Sequence, residues 1–307
     1  MNQPQRPSTI NVWWWGLILC LAMACSVRAG EPLRLTHDGL FKRDPVFIAG
    51  GEELVYVVLD RPEQLRMMQL KLADGTVQPF HKNETRSELE PAFSSDGRYC
   101  AFLQSRSAAS VAMVIRDFQM DEVAEIPPAP GLAGMRSPAF SPDGQRLIYS
   151  FAESGRQQIF SVNTKGKDRK SLIDSNGINN WPSYSPDGKQ ILFGSTRYGD
   201  FDIYVANMDE SNVRRLTSLP CQDIRPRFSP NGQRIAFTSN RDGNYEVYAI
   251  NVDGSGLLRL TENPEKDDYP AWHPDGKRMV IVSERAGRQD LYLVDVPTQG
   301  TPQGTLE

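Results

Sequence analysis

Trp181-Pro-Ser-Tyr-Ser-Pro-Asp-Gly188, followed by Ile191-Leu-Phe193, Ser195-Thr-Arg197-Tyr-Gly199, Asp202-Ile-Tyr204 and Arg215-Leu-Thr217, is one block of a repeat. The next block reads Arg225-Pro-Arg-Phe-Ser-Pro-Asn-Gly232, Ile235-Ala-Phe237, Ser239-Asn-Arg241-Asp-Gly243, Glu246-Val-Tyr248 and Arg259-Leu-Thr261. Aligned on the aromatic before the turn, the series is Phe47, Phe93, Phe140, Tyr184, Phe228 and Trp272, spaced by 46, 47, 44, 44 and 44 residues. A fixed period of this length marks a repeat architecture and outranks local propensity. The first two units are the most degenerate: Ala49-Gly50-Gly51-Glu52 and Ser94-Ser95-Asp96-Gly97 stand where the third has Ser141-Pro142-Asp143-Gly144.

Each unit reads as four short strands. Ser-Pro-Asp-Gly is a type I turn, with proline fixing φ at its second position and glycine closing it, so it joins the first two strands as a hairpin. The second strand is apolar and β-branched, as in Met279-Val-Ile-Val282. Ser-x-Arg-x-Gly makes the next turn, Ile/Val/Leu-Tyr the third strand and Arg-Leu-Thr the fourth. Six such units with no helical period between them predict an all-β, six-bladed propeller of four-stranded antiparallel blades over residues 30–297. The sixth unit has no Arg-Leu-Thr of its own and runs into a Thr/Gly/Pro/Gln tail at 298–307, read as flexible. That motif stands instead at Leu33-Arg34-Leu35-Thr36, before the first unit. Residues 32–37 are therefore expected to pair into the last blade, sealing an edge that could otherwise template aggregation.

The chain has 307 residues, 39% hydrophobic and 23% charged, which suits one large globular domain. Val12 to Val27 is a nearly unbroken apolar run after a short segment carrying Arg6. It is shorter than the roughly 20 residues a membrane-crossing helix needs, and small residues precede Gly30, so residues 1–29 read as a signal peptide of an exported protein, periplasmic or secreted. An uncleaved anchor or a lipidated Cys25 are the alternatives. Removing residues 1–29 takes away two arginines and no acid, moving the net charge from −4 to −6. There is no basic cluster for nucleic acid to bind. Cys100 and Cys221 lie three blades apart, too far for a disulfide, which needs Cα atoms within about 7 Å.

The Ser-Pro-Asp-Gly, Ile-Ala-Phe-x-Ser-x-Arg-x-Gly, Ile-Tyr and Arg-Leu-Thr series resembles the repeat of TolB-like propellers over about residues 31–297. The resemblance implies the propeller fold and contacts with proteins of the cell envelope. Periplasmic members carry an α/β domain before the propeller and work with a peptidoglycan-associated lipoprotein; here the repeats start directly after the apolar run, so that domain is not expected. Some oligogalacturonate lyases also resemble this repeat, which implies as an alternative a carbohydrate-binding or lyase-like propeller with a metal at its funnel.

Chemistry in the sequence is sparse. There is no Gly-x-Ser-x-Gly elbow and no phosphate-binding glycine loop. His37, His81 and His273 are scattered, and His273 takes the serine slot of a turn, where it is expected to cap. No enzyme activity, cofactor or metal is expected. Arg197, Arg241 and Arg285 each precede an acid by five residues, Asp202, Glu246 and Asp290, and are expected to bridge the hairpin between second and third strands. Asn251-Val-Asp253-Gly-Ser255 reads as a turn.

The first strand of each blade is expected to line the axis. The residue before its proline is Asp44, Glu90, Ser137, Trp181, Arg225 or Tyr269. These six differ where the fold would repeat, as a surface for an asymmetric ligand would. Adjoining loops are expected to add Asn179, Asn180, Asp223, Asp267 and Asp268. The candidate binding residues are Glu90, Trp181, Arg225, Asp267 and Tyr269, aromatic and charged types typical of interface anchors. The expected function is a monomeric, non-enzymatic module holding an envelope-associated protein, with a glycan as the second choice of ligand.

Overall fold

A computed structural model describes residues 31–128, 134–153 and 155–297. The expected signal peptide and C-terminal tail lie outside the described residues. Six four-stranded sheets form six blades, five of them ordered along the chain from the innermost strand outward and the sixth with the N-terminal strand outermost. The innermost strands are Lys42–Ile48, Glu88–Phe93, Met135–Phe140, Asn179–Tyr184, Asp223–Phe228 and Asp267–Trp272.

The turns behave as their composition requires. In the fourth blade Gly188 N bonds Ser185 O at 2.9 Å, while the Ser185 hydroxyl donates to Asp187 at 2.6 Å and accepts from Gln190 N at 2.9 Å. Gly188 sits at φ +70°, where glycine alone is free of strain. In the sixth blade His273 takes over the serine's place, its carbonyl accepting from Gly276 N and its Nδ1 from Asp275 N. Opposite it, in the degenerate first blade, Gly51 leaves room for the imidazole: a Cβ there would overlap the ring.

The apolar residues of the second and third strands gather into six clusters, each bridging two neighbouring blades. Between blades four and five, Leu192 and Ile203 meet Ile235, Phe237 and Tyr248. Between blades six and one, Val280, Val282 and Leu291 meet Leu54, Tyr56 and Val58. No blade can bury its faces alone, so stability rests on the ring being closed.

Closure follows the expected route. Leu33–Arg34 pairs antiparallel with Arg288–Asp295, Leu33 opposite Leu293 and Arg34 opposite Tyr292, and Leu35 N donates to Leu291 O at 2.8 Å. The first and last parts of the propeller thus share one blade.

The expected hairpin ion pairs do not form. Arg197 lies over the Tyr204 ring at 4.6 Å and bonds Ser195, and Arg241 and Arg285 stack likewise on Tyr248 and Tyr292. The acids instead reach the fourth strand. Asp202 takes Arg215 at 2.6 Å, with Thr217 at 3.4 Å. Glu246 takes Thr261 at 2.5 Å and Arg259 at 3.4 Å. Asp290 takes Arg34 at 2.5 Å and Thr36 at 2.7 Å. The Arg-Leu-Thr motif is thereby explained as the clamp for the acid that opens the third strand. Cys100 is buried beside Phe102, Cys221 is half-buried, and both are free thiols.

Candidate functional site

The six inner strands enclose a cavity of about 490 Å³ at the axis. Every one of them carries the same irregularity. The residue before the proline has φ between 51° and 54°: Asp44, Glu90, Ser137, Trp181, Arg225 and Tyr269. Side chains other than glycine enter this left-handed region at a cost. At the same point the register with the second strand slips. This is a β-bulge, which bends a strand and re-aims a side chain. All six bulged residues line the cavity.

Their side chains, with near neighbours, form a continuous ring of contacts. Arg43 donates to Asp44 at 2.6 Å and to Glu90 at 2.9 Å. The second Glu90 oxygen accepts from the Ser137 backbone N–H. Ser137 donates to Asn180 Oδ1 at 3.3 Å, which also accepts from Trp181 N at 2.9 Å. The Arg225 guanidinium lies 5.6 Å from the Trp181 ring and 4.1 Å from that of Tyr269, and donates to the Tyr269 hydroxyl and to Asp268, each at 3.2 Å. Arg43, 5.8 Å from the Tyr269 ring, completes the circuit. Burial drives the Glu90 pKa up, and the nearby Asp44 carboxylate adds to this while Arg43 opposes it. Burial also works against the charge on Arg225, but Asp268 and Tyr269 outweigh it and hold its pKa above the ordinary value.

Trp181 owes its position to a gap. Its indole packs on Gly194, where an added Cβ would come within 3.0 Å of the ring, and meets Phe201 at 4.9 Å. Gly194 pairs with Asn180; the corresponding residues of the next two blades are Thr238 and Val282.

The family model described as the TolB beta propeller domain matches residues 45–225, more than half of the chain and three of the six bulged strands in full. The chain belongs to the TolB β-propeller family. A second model, the Tricorn protease N-terminal beta propeller domain, matches residues 200–307. No curated protein matches it in sequence. Among solved structures, this TolB-family propeller is similar to TolB from Acinetobacter baumannii at 23% identity and TM-score 0.66, covering 80% of this chain and 64% of that one. It thus spans less than two thirds of that protein's length. It is similar to a putative TolB from Agrobacterium tumefaciens at 21% identity and TM-score 0.63, covering 86% of this chain and 93% of that one. An oligogalacturonate lyase in complex with manganese shares the fold at 14% identity and TM-score 0.58, over 88% of this chain and 98% of that one.

Of the residues singled out by sequence, the TolB-family fold brings Glu90, Trp181, Arg225 and Tyr269 to the cavity. Asp267 is elsewhere: it is 1% exposed, bonded to Asn263 at 3.1 Å, and burial pushes its pKa up. Asn179, Asn180, Asp223 and Asp268 lie in strands, not loops, and are buried. Asp223 holds Arg241 at 2.8 Å, and Asn179 bonds Ser195 at 2.8 Å. The acidity expected of the rim is therefore largely internal to the blades. Arg43 and Arg227 escaped notice as partners of the site, and Ser137, named among the six residues before the prolines, was not among the candidate binding residues. Arg227 had a signal, since its equivalents are Val46, Ala92, Ala139, Ser183 and Ala271. Among the described residues no three His, Cys, Asp or Glu side chains group in a way that could hold a metal ion, and no helix is long and apolar enough to cross a membrane.

Proposed function

We propose that this chain is an exported, non-enzymatic interaction module that holds an envelope-associated protein on the funnel rim formed by Glu90, Trp181, Arg225 and Tyr269. One observation carries the reading. The backbone at the six bulges is the same, within a few degrees of φ, while the six side chains presented are all different. Strained geometry kept in every blade, including at a tryptophan and a tyrosine, supports a presentation device. Tryptophan, tyrosine and arginine are the types that dominate binding energy at protein interfaces. The Val12 to Val27 run supports export. The ring of Tyr269 already has Arg225 over it, which favours a protein partner over a sugar stacked on that face.

The test is crosslinked affinity capture from envelope extract with the double variant Trp181→Ala/Arg225→Ala. Loss of the captured partner, with the melting temperature kept, supports the rim as the binding face. Undiminished capture places the partner elsewhere.

A further inference from the structure

Arg227 is the side chain of the axial cavity that the rest of the fold leaves unused. Its backbone is held firmly, the Arg227 carbonyl accepting from Trp272 Nε1 at 3.2 Å. Its guanidinium has one hydrogen bond among the described residues, to Pro226 O at 3.3 Å, and no carboxylate within ion-pair reach. A guanidinium carries five N–H donors, so most of this one's capacity is open. The contrast with its neighbours is sharp. Arg43 is taken by Asp44 and Glu90, and Arg225 by Asp268 and Tyr269. The five equivalent positions carry only Val46, Ala92, Ala139, Ser183 and Ala271, small side chains that also line the cavity. Burial lowers the Arg227 pKa, and the distant Asp44 and Glu90 carboxylates offset this only in part. Placing an unpaired cation here costs stability, and nothing in the blade recovers it.

We propose that Arg227 is the receptor for a single carboxylate group that enters the axial cavity from the rim. The assignment to a carboxylate follows from charge and shape. The arginine fork matches the two carboxylate oxygens in a bidentate pair. A dianion such as phosphate would need a second free cation, and the other cavity arginines are already neutralised. Asp44 and Glu90 across the cavity would also repel it more strongly than a monoanion. The proposal rests on the funnel being a binding face, and it names what the ligand carries: an acidic side chain or chain end reaching past Trp181 and Tyr269, or a free small carboxylate.

The experiment uses the whole chain labelled with ¹⁵N-arginine, following the Nε–H resonances at fixed ionic strength. The Arg227 resonance is the one missing from Arg227→Met. Acetate and the peptide acetyl-Gly-Glu-Gly-amide are expected to shift it saturably, while acetyl-Gly-Gln-Gly-amide and chloride leave it in place. Binding of the Glu peptide at least tenfold tighter than acetate points to an inserted segment, and equal binding to a free carboxylate. No saturable shift, a shift as large with the Gln peptide, or tighter binding of inorganic phosphate than of acetate overturns the proposal. Arg227→Met is expected to melt at or above the wild-type temperature; a fall of several degrees would make Arg227 a structural prop and overturn it as well. Carboxylate binding that survives while Trp181→Ala/Arg225→Ala still captures its partner would sink the rim reading alone.

Discussion

Thr36 donates its hydroxyl to Asp290 Oδ1 at 2.7 Å across 254 residues of sequence, and the same hydroxyl accepts from Leu291 N at 3.0 Å. The arrangement repeats within blades: Thr217 serves Asp202 and Ile203 N, and Thr261 serves Glu246 and Val247 N. The N-terminal strand therefore completes the sixth blade by supplying the same two groups, an arginine and a threonine. Thr36 is 4% exposed, so Thr36→Ala would leave a buried N–H and a buried carboxylate oxygen each short of a partner. The expected loss is about 1–3 kcal/mol, read as a lower denaturant midpoint with an unchanged slope. Removing residues 30–38 altogether is expected to lower the melting temperature much further; an unchanged value would mean that the ring closes otherwise.

Acid should weaken the same closure. Burial pushes the Asp290 pKa up, but hydrogen bonds from Thr36 and Arg34 and the charge of the fully buried Lys42 outweigh it and hold it below the ordinary value. A carboxylate whose folded pKa is depressed contributes stability that is present above its unfolded value, about 3.9, and is lost as pH falls through the folded one. Asp290→Asn is therefore expected to be less stable than wild type at pH 6, with the gap narrowing below about pH 4. A gap that holds constant down to pH 2 would assign the cost to packing instead of charge.

The bulges make a separate prediction about strain. Ser137 sits at φ 54°, where glycine pays no steric penalty and a β-branched residue pays most. Ser137→Gly is expected to leave stability within about 1 kcal/mol of wild type, relief of strain offsetting the greater freedom of the unfolded chain. Ser137→Val is expected to be clearly destabilised, by about 1–3 kcal/mol. Equal effects of the two variants in denaturant titrations would show that the left-handed geometry is not imposed by the fold.

What could be read in advance, and what could not, follows from how contacts relate to sequence distance. The repeat period and the displaced Arg-Leu-Thr motif are linear patterns, and both the six blades and the closure through Leu33 to Thr36 were legible in them. The partners of the recurring acids were not. Asp202 lies five residues from Arg197 and thirteen from Arg215, yet the antiparallel pairing of the third and fourth strands selects the farther one. The bulges were hidden for another reason: a residue before proline is expected to be extended, and here six are left-handed because the strand must turn its side chain towards the axis. Asp267 looked like a rim residue because it is acidic and two residues from Tyr269, a spacing that regular strand alternation puts on one face. The bulge between Asp268 and Ala271 breaks that alternation and turns Tyr269 to the cavity, while Asp267 stays bonded to Asn263 inside the blades.

Gly194 offers the most direct way to separate the shape of the rim from the stability of the propeller. It sits in the strand Gln190–Ser195, at a position where the next two blades carry Thr238 and Val282, so the backbone itself accepts a β-branched residue there. The absent side chain matters most to Trp181, whose ring would meet a new Cβ at 3.0 Å and must move to admit it, while Phe201 lies at an ordinary contact distance of 3.6 Å. Gly194→Val adds two methyl groups beyond that Cβ and gains strand propensity, so the melting temperature is expected to stay within a few degrees of wild type. The Trp181 near-ultraviolet circular dichroism should change, and capture of the partner should fall at least tenfold if the rim is the binding face. Full capture with a displaced indole would show that the indole is not an anchor and would leave Arg225 and Tyr269 to carry the contact.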